Sequence, residues 1–129
     1  MVTRFIVFAV LTVALATSGA AQGNSLREKM NSAGDRACVL ATHLHQLCSS
    51  LQSARTRRSI ELLMGAVCKP ERASQRVAIE QRTYAVFGQA GDARSCSARA
   101  DAFQRVGAEM RSIGIAVEKR QRAVELPSS

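Results

Sequence analysis

The chain has no tryptophan, a single tyrosine and only two histidines in 129 residues. No segment alternates apolar and polar residues over strand length, so the sequence supplies nothing to build a sheet from. There is no internal repeat and no low-complexity segment outside the N-terminus. Past that N-terminal stretch, no apolar run approaches the ~20 residues that cross a bilayer. The four cysteines, Cys38, Cys48, Cys68 and Cys96, are separated by 9, 19 and 27 residues, which matches neither a zinc knuckle nor a haem attachment. His43 and His45, at i and i+2, point about 160° apart on a helix, whereas one-helix metal sites use i and i+4; they read as surface or edge residues. Met30, Met64 and Met110 fall on apolar stripes and read as core filling rather than copper or haem ligands. No carboxylate pair, serine triad or glycine-rich phosphate loop can be assembled. The expectation is therefore no metal, no cofactor and no enzyme.

The N-terminus carries an apolar run of its own, well short of bilayer-spanning length. Arg4 precedes the run Phe5–Ala16, and Thr17-Ser18-Gly19-Ala20-Ala21 follow it. A positive charge, a short apolar run and small residues are the layout of a secretory signal, with cleavage after Ala20 or Ala21. The chain then divides into a signal over 1–21 and one helical domain over 22–129, not membrane-spanning once the signal is removed. Export to the periplasm or beyond places four cysteines where two disulfides can form.

Losing Arg4 takes the formal charge from +8 to +7, and fifteen of the eighteen basic residues of the whole chain are arginine. No block of five or six like charges builds up, so scattered arginines on solvated helix faces explain most of this excess. For an exported chain, nucleic acid is not an expected partner; an anionic surface or an acidic protein is.

Hydrophobic periodicity predicts four helices. Leu26, Met30, Ala33, Ala37, Leu40, Leu44, Leu47 and Leu51 recur in steps of four and three, the widest-reaching stripe in the chain. Ser25 and Glu28 form a capping box for this first helix, and Gly34 and Asp35 mark where it bends if it bends. A second helix spans about Ser53 to Cys68 on Ile60, Leu63, Met64 and Val67. The third runs from Pro70 to about Phe87, with Ala73, Val77, Tyr84 and Phe87 on one stripe, Ile79 and Val86 beside it, and Gly88 closing it. The fourth starts near Ser95 to Ser97 and carries Phe103, Val106, Met110, Ile113 and Val117. Ala100, Gly107 and Gly114 recur beside that stripe at seven-residue intervals, where small residues let another helix come close. The fold class is all-α, a small disulfide-bonded antiparallel bundle of about four helices.

Helix geometry selects the cysteine pairing. On one continuous helix Cys38 and Cys48 lie about 15 Å apart along the axis, beyond the roughly 7 Å a disulfide allows. A hairpin turning near residue 53 brings Cys38 level with Cys68, and the returning third helix delivers Cys96 to the end that holds Cys48. The expected bridges are Cys38–Cys68 and Cys48–Cys96.

Two groups of residues stand out as binding candidates. On the third helix Glu80, Arg82 and Tyr84 interrupt or flank an apolar face, and Arg76 lies one turn before Glu80, placed to pair with it. A structural ion pair at the bundle edge is the plainer reading of that glutamate. On the second helix Arg55, Arg57 and Arg58 occupy the first turns, where the helix dipole disfavours cations and an anionic contact would offset the cost.

Between Leu44 and about Glu118 the chain resembles a conserved hypothetical family of small exported alphaproteobacterial proteins. The likeness rests on Leu47-Cys48, on Glu71-Arg72 leading through Val77 to Gln81-Arg82-Thr83-Tyr84-Ala85-Val86-Phe87, and on Cys96 followed by a helix carrying Gly107. The family pattern has asparagine and glycine where this chain has Gln81 and Thr83. The resemblance implies one cysteine pair at Cys48 and Cys96, with Cys38 and Cys68 as an added pair. It implies an exported helical fold and carries no activity. The expected role is a non-enzymatic module that binds another envelope or secreted protein through a groove or an arginine-rich face; the alternative is an inhibitor or immunity-like protein acting on a secreted enzyme or toxin.

Overall fold

The computed structural model describes the backbone of residues 18–125 and the side chains of residues 25–123. Four α-helices make up almost all of it: α1 (Ser18–Cys48), α2 (Ala54–Val67), α3 (Ala73–Phe87) and α4 (Ala93–Glu125), with short 3-10 turns at Ser49–Leu51 and Pro70–Arg72. No strand occurs among the described residues. The run Phe5–Ala16 of the expected signal lies outside them, and the expected cleavage positions fall in the first turns of α1. No helix among the described residues is long and apolar enough to cross a membrane.

α1 is continuous through Gly34, because the flanking positions Ala33 and Asp35 are both held in the interior. It begins upstream of the Ser25–Glu28 capping box, so that box is interior to the helix: Ala20, Ala21 and Gln22 are good helix formers and extend it. The stripe is buried from Ala33 to Leu44 and half-buried at Leu26, Met30 and Leu47. It fails at Leu51, which is 55% exposed, because the α-helix stops at Cys48.

The remaining helices start and stop where capping chemistry directs. Ser53 caps α2, its hydroxyl oxygen accepting from the Thr56 amide at 3.1 Å. Asp92 caps α4, accepting from the Ser95 amide at 2.7 Å, which starts the helix slightly earlier than Ser95. Pro70 opens the turn before α3, and Gly88, at φ +80°, ends that helix in a conformation only glycine adopts readily.

Every other helix packs against α1. Cys38 joins Cys68 and His45 lies 3.9 Å from Glu61, so α2 descends as α1 climbs. Asp35 meets Arg72 and His43 meets Glu80, each pair 37 residues apart, which makes α3 parallel to α1. Arg36 meets Glu109 and Cys48 joins Cys96, so α4 is antiparallel. Both disulfides are the expected ones, with Cα atoms 5.0 and 5.8 Å apart. On chain-entropy grounds, spans of 30 and 48 residues contribute about 4 kcal/mol each.

One apolar cluster joins Ala33, Ala37 and Leu40 of α1 to Val106 and Ile113 of α4. A second joins Ala41, Leu44 and Cys48 to Ile60 of α2 and Cys96 of α4. The small residues that let helices approach are thus the α1 alanines. Gly107 and Gly114 do not serve that purpose: a Cβ on Gly114 would meet nothing within 4 Å, and one on Gly107 only the Arg111 guanidinium at 3.7 Å. The close contact falls instead at Gly91, where a Cβ would collide with the Leu47 carbonyl oxygen.

Candidate functional site

The interior of the α1–α3 contact is polar, and it includes the residue least expected there. His43 is fully buried. Its ring stacks on Tyr84 with centroids 4.4 Å apart and planes at 29°, and its Nε2 lies 3.4 Å from Glu80 Oε1. Burial lowers the His43 pKa and the Arg99 charge lowers it further, against the raising influence of Glu80. His43 is therefore no edge residue. Its i, i+2 spacing from His45 turns one ring to α3 and the other toward Glu61 of α2.

Two arginines complete this seam. Arg72 forks onto Asp35, its Nε 2.9 Å and one terminal nitrogen 2.7 Å from the same carboxylate oxygen; Asp35 is buried and Arg72 keeps its proton more tightly than usual, first through these hydrogen bonds. Arg99, fully buried, reaches from α4 under the α3–α4 loop. It donates to the carbonyls of Gly88 and Ala90 and places its guanidinium carbon 5.7 Å from the centre of the Phe87 ring. Asp35 is thus an ion-pair partner inside a continuous helix.

The α3 stripe differs from the periodicity for the same reason. Val77 and Val86 are exposed, at 55% and 74%, while Ile79, Thr83, Tyr84 and Phe87 turn inward. Glu80 pairs with His43 instead of Arg76, and Arg76 donates to the Lys69 carbonyl at 2.7 Å. Arg57 donates to the Ser49 and Gln52 carbonyls at 3.2 and 3.3 Å. That contact gives a cation at the start of α2 its partners, the carbonyls of the turn that follows α1. Arg58 is exposed, and Arg55 lines a groove.

Two grooves lie beside α4 where another outer helix flanks it. Between α2 and α4, floored by α1, runs a valley made of two adjoining grooves of about 770 and 460 Å³ that share Leu63, Phe103 and Gln104. Leu44, Ile60 and the Cys48–Cys96 bridge line one, Val67 and Met110 the other. Ala100 and Gly107, the small residues of the α4 pattern, both face it. Along α4 it reaches from Ala93 to Arg111, about 27 Å at 1.5 Å per residue. Its lining holds Arg55 and Arg111 and no carboxylate. Between α3 and α4 lies a second groove, of about 590 Å³, to which Arg36, Arg82 and Arg105 each contribute from a different helix.

The structure thus separates the sequence candidates. Glu80 and Tyr84 are brought together on His43, Arg82 stands apart in the second groove, and Arg55 alone of its trio lines the valley. Sequence reasoning missed Asp35, His43 and Arg99 as site-forming residues. A hint lay in the 37-residue offset shared by Asp35 with Arg72 and His43 with Glu80, which is visible once α1 and α3 are taken as parallel. Among the described residues no group of three or more His, Cys, Asp or Glu is placed to hold a metal. The chain matches no family model, no curated protein and no solved structure.

Proposed function

We propose that the protein is an exported, non-enzymatic binding module that receives an amphipathic helix of an envelope or secreted protein in the valley between α2 and α4. The observation that carries this reading is the valley itself: apolar along its floor, open for about 27 Å, and faced by Ala100 and Gly107, which favour close helix approach. Leu63, on its lip, is 43% exposed. A helix of roughly 18 residues matches that length, and helix-in-groove recognition reads such a surface through apolar anchors at i, i+3, i+4 and i+7. Arg55 and Arg111 bracket the valley with no carboxylate between them, so acidic flanks on the partner helix are favoured. Two disulfides and the lack of a spanning helix among the described residues are consistent with an oxidising compartment.

Capture from envelope extract tests this, using the oxidised chain beside Gly107→Leu and Leu63→Glu variants. At Gly107 an added Cβ meets only the far end of the Arg111 side chain, so Gly107→Leu is expected to fold and to fill the valley. The expected result is one stoichiometric partner held by the native chain and lost by both variants. Equal capture by all three, or none by the native chain, overturns the reading.

A further inference from the structure

The groove between α3 and α4 has chemistry of its own. Leu40 of α1, Ile79 and Val86 of α3 and Val106 of α4 give it an apolar floor and walls. Around these stand Arg36, Arg82 and Arg105. The one carboxylate in the lining, Glu109, is taken by Arg36 at 2.7 Å, and that contact holds the Glu109 carboxyl below its ordinary range. Arg82 and Arg105 have no ion-pair partner among the described residues. Two uncompensated guanidinium groups therefore border an apolar trough of about 590 Å³, a size within the range of small-molecule sites.

We propose that this groove binds a small amphiphilic anion, with a single carboxylate or phosphate head held by Arg82 and Arg105 and an aliphatic chain laid along Leu40, Ile79, Val86 and Val106. Guanidinium groups match both head groups through paired N–H donors. The apolar trough explains what bare charge does not: Val86, 74% exposed, is a poor residue for a solvated arginine face and a good one for an alkyl chain. An extended acidic peptide would use the arginines and leave that trough wet. The valley on the other side of α4 has a separate lining, so this site stands whether or not the helix-binding reading does.

Titration calorimetry on the oxidised chain tests the proposal, with octanoate, octyl phosphate, octyl glucoside, inorganic phosphate and hexaglutamate as probes, all below micelle-forming concentration. One octyl anion is expected per chain, at least about tenfold tighter than octyl glucoside or inorganic phosphate; the tighter of octanoate and octyl phosphate assigns the head group. Arg82→Gln and Arg105→Gln should each weaken it several-fold and Val86→Asp should abolish it. Arg111→Gln, in the other valley, should leave it unchanged. All four positions lie outside the buried clusters, and matching circular dichroism and melting curves confirm that the variants fold. Equal affinity for octyl glucoside or inorganic phosphate, tighter binding of hexaglutamate, indifference to Arg82→Gln and Arg105→Gln, or no binding of either octyl anion would overturn it.

Discussion

α1 meets α4 and α3 by opposite means. Against α4, beside the Arg36–Glu109 pair and the Cys48–Cys96 bridge, it offers chiefly alanines and a leucine to Val106 and Ile113, contacts that are non-directional and scale with buried area. Against α3 it offers Asp35 and His43, which accept one geometry each. α3 itself has no buried residue. Burial thus supplies stability on one side, while directional polar pairs set position on the other. Asp35 and Arg72, with His43 and Glu80 eight residues on, fix the sliding register of α3 at two points about 12 Å apart.

The largest expected effect is on the apolar side. Leu40→Ala should cost about 3 kcal/mol in urea denaturation, with little dependence on pH or salt; a cost below about 1 kcal/mol would put the weight of the fold elsewhere. Next comes Arg99→Met, which keeps volume but leaves the Gly88 and Ala90 carbonyls without their donor. A loss of about 2 kcal/mol is expected, with faster amide exchange confined to the α3–α4 loop and the end of α3. Global acceleration would mean that the two seams are one cooperative unit. Asp35→Asn, smaller at about 1 kcal/mol, removes charge but little shape and should loosen α3 while leaving α4 exchange unchanged.

Gly114→Ala works in the other direction. With nothing within 4 Å of its Cβ position, it should stabilise by about 0.5–1 kcal/mol through helix propensity alone. The smallest effect is on pH. Because burial lowers the folded-state pKa of His43, the unfolded chain binds its proton first. Its contribution is complete above the unfolded value of about 6.5 and is lost as pH falls below that. Asp92 and Glu109, held below their ordinary range, weaken the fold only in more acid solution, as pH drops through their lowered values. Between pH 7.5 and 5 the decline should therefore follow His43, and His43→Phe, which keeps the stack on Tyr84, should flatten it in urea titrations.

The same contrast decides what could be read from residues alone. The α1 stripe, the hairpin turn near residue 53 and both cysteine pairs follow from helix spacing, because apolar periodicity and axial rise are local properties. α3 was misread because its inward face is chosen by groups 37 residues away: Val77 and Val86 look like core until Arg72, Glu80 and Tyr84 find Asp35 and His43. The burial of His43 and Arg99 depends on partners contributed by other helices, and no local pattern marks that. The valley was legible only in part, through the small residues of α4, which signal close approach without saying what approaches.

The two disulfides also interlock. One closes a ring over 38–68 and the other over 48–96, and the rings share the segment 48–68. All three interhelical turns, at 49–53, 69–72 and 88–92, lie inside at least one ring. A protease that clips any of them opens a loop and releases no fragment, so a singly nicked chain runs as one species until it is reduced. In surroundings rich in peptidases, that topology lets the molecule take a cut and stay whole.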